Sequence, residues 1–72
     1  MYAKPVYDLF GTEEKARKSL VTTLATEKSF WDMEMAKRDK FIDWVLTNAS
    51  EYQDGDTIDW IGAFYDWEEE YG

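Results

Sequence analysis

The chain contains neither cysteine nor histidine, and it has one proline among its 72 residues. Without cysteine the protein cannot form a disulfide bond or a thiolate metal site. Without histidine it lacks the commonest general base and the commonest metal ligand. Carboxylate pairs remain, but a domain this short has little room for a catalytic pocket. We therefore expect a protein that has no catalytic residues, metal or cofactor and is not an enzyme.

Long apolar runs are also absent from the sequence. The longest run, from Trp60 to Tyr65, is far shorter than the roughly 20 residues that a bilayer span needs. Residues 1–5 lack the apolar stretch of a secretory signal. These absences predict a cytoplasmic protein, or one that is carried into a host cytoplasm.

Lysine and arginine are absent from the second part of the chain. Residues 41–72 hold nine acidic and eight aromatic residues, whereas residues 1–40 hold seven acids and eight bases. The formal net charge of −8 is therefore concentrated in residues 41–72. Because such a surface repels phosphates and anionic lipids, we expect no direct nucleic-acid binding and no membrane binding. A basic protein surface is the partner that this charge favours.

Hydrophobic and aromatic residues are abundant, at 44% and 18% of the chain. An aromatic side chain can bury about 150–250 Å², so these residues suffice for a core without disulfide bonds. A chain of 72 residues forms one small domain. We predict an all-α protein, in which residues 1–72 form a small three- to four-helix bundle with a short N-terminal helical turn.

The first part of the chain is predicted to form two helices. Pro5 suits the first helical position and Gly11 suits the residue after the end, which predicts one or two helical turns. An extended segment at a sheet edge is the alternative. Thr12 is a suitable N-cap for a second helix that has acids in its first turn. That helix should end near Thr26.

A third helix is predicted from Ser29, its cap, to about Asn48, unless it continues directly from the second helix. At about 100° per residue, one arc of about 160° is apolar. This arc contains Phe30, Trp31, Met35, Phe41, Ile42, Val45 and Leu46. The opposite side carries three aspartates within about 40° of one another, here called the first acidic ridge: Asp32, Asp39 and Asp43.

The last helix is predicted to follow a turn at Asp54-Gly55 and to begin with Asp56 or Thr57 as its cap. Its polar side carries a second acidic ridge within about 40°, formed by Asp59, Asp66 and Glu70. The spacing of this ridge, i, i+7 and i+11, repeats that of the first ridge. The sequence leaves open whether the two ridges face the same side of the molecule.

The turn before this helix does not match a calcium-binding loop. In an EF-hand with Gly55 at position 6, the ligand positions 3 and 12 would fall on Tyr52 and Ile61, which are not suitable ligands. A turn followed by a helix cap explains the same residues, so we expect no metal site there.

The end of the last helix carries Glu68, Glu69 and Glu70, where the helix dipole is negative. Each acid there should destabilise the fold by about 0.3–1 kcal/mol at low salt. We interpret this self-repulsion as a feature retained for binding a partner; the alternative is a frayed acidic tail that aids solubility. The aromatic residues Trp60, Phe64, Trp67 and Tyr71 form a stripe along this helix, which is more typical of a core. We expect Trp67 and Tyr71 to lie at the edge of the core and to anchor the partner.

The spacing of the acids indicates a function. Acids four and seven residues apart on a helix are separated by about 6 and 10.5 Å along its axis, similar to the spacing of phosphates on a nucleic-acid strand. The sequence therefore predicts a small acidic protein that binds and inhibits or modulates a basic nucleic-acid-handling protein, acting as a nucleic-acid (DNA) mimic. The predicted partner-binding residues are Asp32, Asp39, Asp43, Asp59, Asp66, Trp67, Glu68, Glu69, Glu70 and Tyr71.

By analogy, such small acidic proteins are typical of phages and mobile elements. Their targets include restriction enzymes, CRISPR effectors, recombination nucleases and RNA polymerase. The alternative function is a non-enzymatic helical adaptor or structural subunit. It would dock through exposed aromatic side chains such as Trp44, with one partner or as a homodimer. The salt dependence of binding distinguishes the two functions. Binding by a nucleic-acid mimic should be lost between roughly 0.05 and 0.5 M salt, whereas binding by an adaptor should tolerate salt.

Overall fold

The computed structural model describes residues 2–71, and this part of the chain is 79% helical. It contains five α-helices, which are α1 (Lys4–Phe10), α2 (Glu13–Thr23), α3 (Lys28–Asp32), α4 (Met35–Thr47) and α5 (Trp60–Tyr71). Two 3-10 helices, Leu24–Thr26 and Ala49–Tyr52, follow α2 and α4. Two short antiparallel strands, β1 (Gln53–Asp54) and β2 (Thr57–Ile58), precede α5. The structure thus confirms a mostly helical protein but does not confirm a bundle, and the sequence does not predict the two strands.

The first two helices agree with the sequence-based prediction. Pro5 lies in the first turn of α1, and Gly11 ends the helix with a φ of 85°, a conformation that favours glycine. The extended alternative for this segment is therefore wrong. The Thr12 hydroxyl accepts a hydrogen bond from the backbone N–H of Lys15 at 3.2 Å, which confirms the predicted N-cap of α2. The 3-10 turn after α2 ends at Thr26, where the helical segment was expected to end.

The predicted single helix from Ser29 to Asn48 is wrong, because α3 and α4 are separated. Met33 and Glu34 are both extended, with ψ angles of 150° and 149°. Glu27, rather than Ser29, is the N-cap of α3, and its ψ of 105° also separates α3 from α2.

Packing between two phenylalanine rings explains the break. The rings of Phe30 and Phe41 meet with centroids 6.2 Å apart. In one continuous helix these two residues would be separated by about 16 Å along the axis. Extended backbone at Met33 and Glu34 lets Phe30 fold back onto Phe41 and onto Phe64, whose ring centroid lies 5.9 Å from that of Phe30.

The turn at Asp54-Gly55 is confirmed, but the predicted caps of the last helix are wrong. Gly55 has a φ of 62° and connects β1 to β2. Thr57 pairs with Asp54 across the strands, so it belongs to β2 and not to the start of α5. The cap is Asp59, whose carboxylate accepts a hydrogen bond from the backbone N–H of Gly62 at 3.1 Å.

One hydrophobic core joins the helices. Its buried residues are Val6, Ala16, Leu20, Leu24, Phe30, Phe41, Ile42, Val45, Leu46, Ala49, Ile58, Trp60, Ala63, Phe64 and Trp67. Trp67 is only 5% exposed, so it belongs to the core and not to the edge of the core, where the sequence places it. Conversely, Trp31 and Met35 are 45% and 70% exposed, although both belong to the predicted apolar arc. The break between α3 and α4 disrupts the helical register from which that arc was predicted.

Candidate functional site

Three acidic residues of α5 gather at one cleft on the surface. Asp66, Glu69 and Glu70 line it together with Trp44 of α4 and Tyr52 of the second 3-10 helix. The cleft has a volume of about 470 Å³, and we call it the acidic cleft. Glu68 does not line it, because at about 100° per residue its side chain leaves α5 on nearly the opposite side from Asp66.

Aromatic rings form the wall of the acidic cleft. The Trp44 ring is tilted by 54° against that of Tyr52, with centroids 5.9 Å apart. The Tyr71 ring meets Trp44 edge to face at 6.3 Å, and the Tyr71 side chain is 57% exposed. Trp44 therefore contacts two tyrosine rings from different elements, at the junction of α4 and α5.

A hydrogen bond connects the aromatic wall to the acidic residues. The Tyr52 hydroxyl donates to Oδ2 of Asp66 at 3.0 Å. Burial and this hydrogen bond to a carboxylate raise the pKa of Tyr52 to about 12. The phenol therefore stays protonated at neutral pH and fixes one oxygen of Asp66.

A second cleft shares Trp44 with the acidic cleft and has two lysines and one glutamate at its margin. Its volume is about 630 Å³, and its lining includes Glu34, Lys37, Lys40, Trp44, Trp67 and Tyr71. The Nζ atom of Lys37 lies 5.7 Å from the centroid of the Trp67 ring. We call this the basic-edged cleft. Lysines therefore line this cleft, whereas no lysine or arginine in the described part of the chain lines the acidic cleft.

The first acidic ridge is not formed as predicted, because Asp32 belongs to α3 whereas Asp39 and Asp43 belong to α4. Asp43 accepts a hydrogen bond from the Tyr2 hydroxyl at 3.0 Å. Asp39 lies at a third cleft of about 240 Å³, which it shares with Trp31 and other residues. These three aspartates therefore do not act as one row of charges.

The second acidic ridge is reduced to its C-terminal members. Asp59 precedes α5, and its carboxylate is engaged as the helix cap. Asp66 and Glu70 remain together, and Glu69 joins them in the acidic cleft.

Trp44 and Tyr52 are the cleft residues that the sequence-based prediction of partner-binding residues misses. The sequence does indicate that Trp44 could lie at the surface, since it falls outside the apolar arc predicted for its helix. No feature of the sequence indicates Tyr52, because the 3-10 turn and the strands that follow it are what bring this residue next to Asp66. The predicted residues Asp66, Glu69, Glu70 and Tyr71 do come together around Trp44.

Close ion pairs do not neutralise the carboxylates of the acidic cleft. Within residues 2–71, the one ion pair with a separation of 4.0 Å or less joins Lys4 to Asp8, and both side chains are exposed. In the same part of the chain, no three acidic side chains are arranged to hold a metal ion. None of the helices between Tyr2 and Tyr71 is both long enough and apolar enough to cross a bilayer.

No protein-family model matches the chain, and neither a curated protein nor a solved structure matches it. The function of the protein is therefore inferred from the chemistry of its own surface.

Proposed function

We propose that this protein binds a basic, nucleic-acid-handling protein and inhibits or modulates it by occupying the surface that normally holds nucleic acid. The observation that supports this proposal most is the cluster of Asp66, Glu69 and Glu70 at one cleft without a close cation. In a surface evolved only for solubility, acids and bases are normally interspersed. Here three acids are gathered at the acidic cleft, and no lysine or arginine within residues 2–71 lines that cleft.

The position of these acids on α5 supports the same function. Glu69 and Glu70 lie in the last turn of the helix, where the dipole is negative and acids are unfavourable. A partner that brings lysine and arginine side chains would relieve this repulsion on binding. The net charge of −8 would also attract such a partner over a distance and speed its association.

In this mechanism the carboxylates take the place of phosphates on the partner, so the protein and nucleic acid compete for one surface. The protein would act in a cytoplasm, and it would be encoded by a phage or another mobile element. A restriction enzyme, a CRISPR effector, a nuclease or an RNA polymerase presents the required basic surface. These target classes are proposed by analogy with other small acidic proteins.

The proposal is tested by competition. The immobilised protein is exposed to a cytoplasmic extract, and captured proteins are eluted with duplex DNA, with heparin, or with a gradient from about 0.05 to 0.5 M sodium chloride. We expect the partner to bind nucleic acid by itself and to be released by all three eluents. Replacement of the cleft acids, by Asp66→Asn, Glu69→Gln and Glu70→Gln together, should abolish its capture.

A matched control carries the same change in charge elsewhere, with Glu14→Gln, Asp54→Asn and Asp56→Asn. These three side chains are exposed and lie in α2 and in the β1–β2 hairpin, outside the acidic cleft. The control should retain most of the capture. Equal capture by the wild-type protein and the variant with a neutralised cleft would contradict the proposed mechanism.

A second candidate function is a helical adaptor that docks through exposed apolar side chains, with one partner or as a homodimer. The observation that favours it is the exposure of Trp31 and Met35 at the cleft beside Val21 and Ile42. Binding of this kind should tolerate 0.5 M salt, as charge screening does not weaken it. It should be lost with Trp31→Ala and retained when the acidic cleft is neutralised.

A further inference from the structure

We infer that the acidic cleft is a receptor for one arginine side chain of the partner. This inference rests on the proposed function, because it names the chemical group that would occupy the same surface. Two observations carry it. The cleft has an aromatic wall formed by Trp44 and Tyr52, and it has carboxylates at its margin.

The aromatic wall favours a cation that is flat and weakly hydrated. Tryptophan attracts cations through the face of its ring more strongly than tyrosine or phenylalanine does. A guanidinium group can stack on such a ring and keep its N–H groups free in the ring plane, whereas an ammonium group is compact and strongly hydrated. The protein already uses this contact internally, since the guanidinium carbon of Arg38 lies 5.2 Å from the centroid of Trp31.

The carboxylates fit the hydrogen-bonding pattern of arginine. Tyr52 holds Oδ2 of Asp66, so the Oδ1 atom of the same carboxylate is the one left to accept from an incoming group. Glu69 and Glu70 add two further carboxylates at the same cleft. A guanidinium has five N–H donors and pairs with carboxylates through two parallel hydrogen bonds. With a volume of about 470 Å³, the cleft is larger than one side chain, which leaves room for the adjoining backbone of the partner.

Charge complementarity decides the occupant. Three carboxylates repel an anion, and a neutral side chain would leave them without a counter-charge. Lys37 and Lys40 line the basic-edged cleft. Neither lysine forms a close ion pair with Asp66, Glu69 or Glu70, so these carboxylates remain available to a cation of the partner.

The test measures binding of peptides in the absence of any other protein. Three glycine heptapeptides carry arginine, lysine or citrulline at the central position; citrulline is a neutral analogue of arginine. Binding to the full-length protein is followed through the NMR signals of the four tryptophan indole N–H groups. We expect the arginine peptide to shift the Trp44 signal saturably, with a Kd of about 1 mM. The lysine peptide should bind at least about threefold more weakly, and the citrulline peptide should not bind.

Charge variants separate a built site from general attraction to an acidic protein. Glu69→Gln with Glu70→Gln should raise the Kd of the arginine peptide at least about fivefold. Asp54→Asn with Asp56→Asn makes the same change in charge in the hairpin and should leave the Kd within about twofold, because exposed charges outside the cleft are screened. An equal loss in both variants would overturn the inference, as would a Trp44 signal that does not move or a citrulline peptide that binds equally well.

The peptide experiment can fail independently of the proposed function. If the protein captures a nucleic-acid-binding partner but shows no arginine-dependent shift at Trp44, the mimic function is supported and the arginine receptor is contradicted. If the protein binds the arginine peptide but captures no partner that DNA can displace, the arginine receptor is supported and the mimic function is contradicted.

Discussion

Among single residues, Tyr52 has the largest consequence for the site, because it connects the aromatic wall of the acidic cleft to Asp66. Folding raises its pKa from the ordinary value of 10 to about 12, chiefly through burial and also through the hydrogen bond to Asp66. The neutral phenol is thus the form that the fold stabilises. Its contribution to stability should be complete below pH 10 and be lost as the pH rises through about 12.

This shift predicts a measurable titration. The near-ultraviolet absorbance of phenolate should show one component that titrates near pH 12, and Tyr52→Phe should remove it. Tyr65 serves as the control. The charge of Glu27 and a hydrogen bond to it also raise the Tyr65 pKa, but Tyr65 lies outside the cleft. Persistence of the component near pH 12 in Tyr52→Phe, or its loss in Tyr65→Phe, would contradict the assignment.

At the scale of the element, α5 places its acids where they oppose its own stability. Glu69 and Glu70 lie in its last turn, so replacing both by lysine should raise the free energy of unfolding by about 0.3–1 kcal/mol for each residue at low salt. The same substitutions should abolish binding of a basic partner. Urea denaturation measures the first effect, and capture from extract measures the second.

Glu14→Lys provides a control of opposite sign. Glu14 lies in the first turn of α2, where an acid interacts favourably with the helix dipole. The same change of charge there should lower stability while binding is largely retained. If lysine at residues 69 and 70 destabilised the fold, the interpretation of these acids as costly to the helix would be wrong.

The elements also show which parts of the fold could be predicted from sequence. Both α1 and α2 are set by local chemistry, by Pro5 and Gly11 in the first and by Thr12 in the second, and such signals are readable from neighbouring residues. The break before α4 depends on Phe30 packing against Phe64, which is distant in the chain. No local pattern contains that contact.

In the candidate site, too, the residues that share one helix can be predicted from sequence, whereas those brought in from distant parts of the chain cannot. Asp66, Glu69 and Glu70 share a side of α5 through helical periodicity alone, so the sequence identifies them. Trp44 and Tyr52 join them only after the chain has turned through the β1–β2 hairpin. Asp59 belongs to the predicted acidic ridge, but in the structure its carboxylate caps the N-terminus of α5, because the paired strands before it place the start of the helix at Trp60.

For the whole molecule, the concentration of charge should make stability and binding respond to salt in opposite directions. The net charge is −8, and the described part of the chain, residues 2–71, contains the single close ion pair Lys4–Asp8. The molecule measures 30 × 22 × 20 Å, and the Debye length is about 10 Å at 0.1 M salt, so repulsion between neighbouring acids acts at low salt. Screening that repulsion stabilises the folded state, whereas screening the attraction to a basic partner weakens the complex.

We therefore expect the urea midpoint to rise between about 0.05 and 0.5 M sodium chloride, over the range in which capture of the partner falls. Sodium chloride is the appropriate salt, because sulfate would strengthen hydrophobic burial by itself. The variant Asp66→Asn, Glu69→Gln, Glu70→Gln should show a smaller rise, since its cleft no longer repels itself. A midpoint that is independent of salt would mean that the fold tolerates these charges without cost. Their clustering would then be explained by solubility alone, and the main physical support for a binding role would be removed.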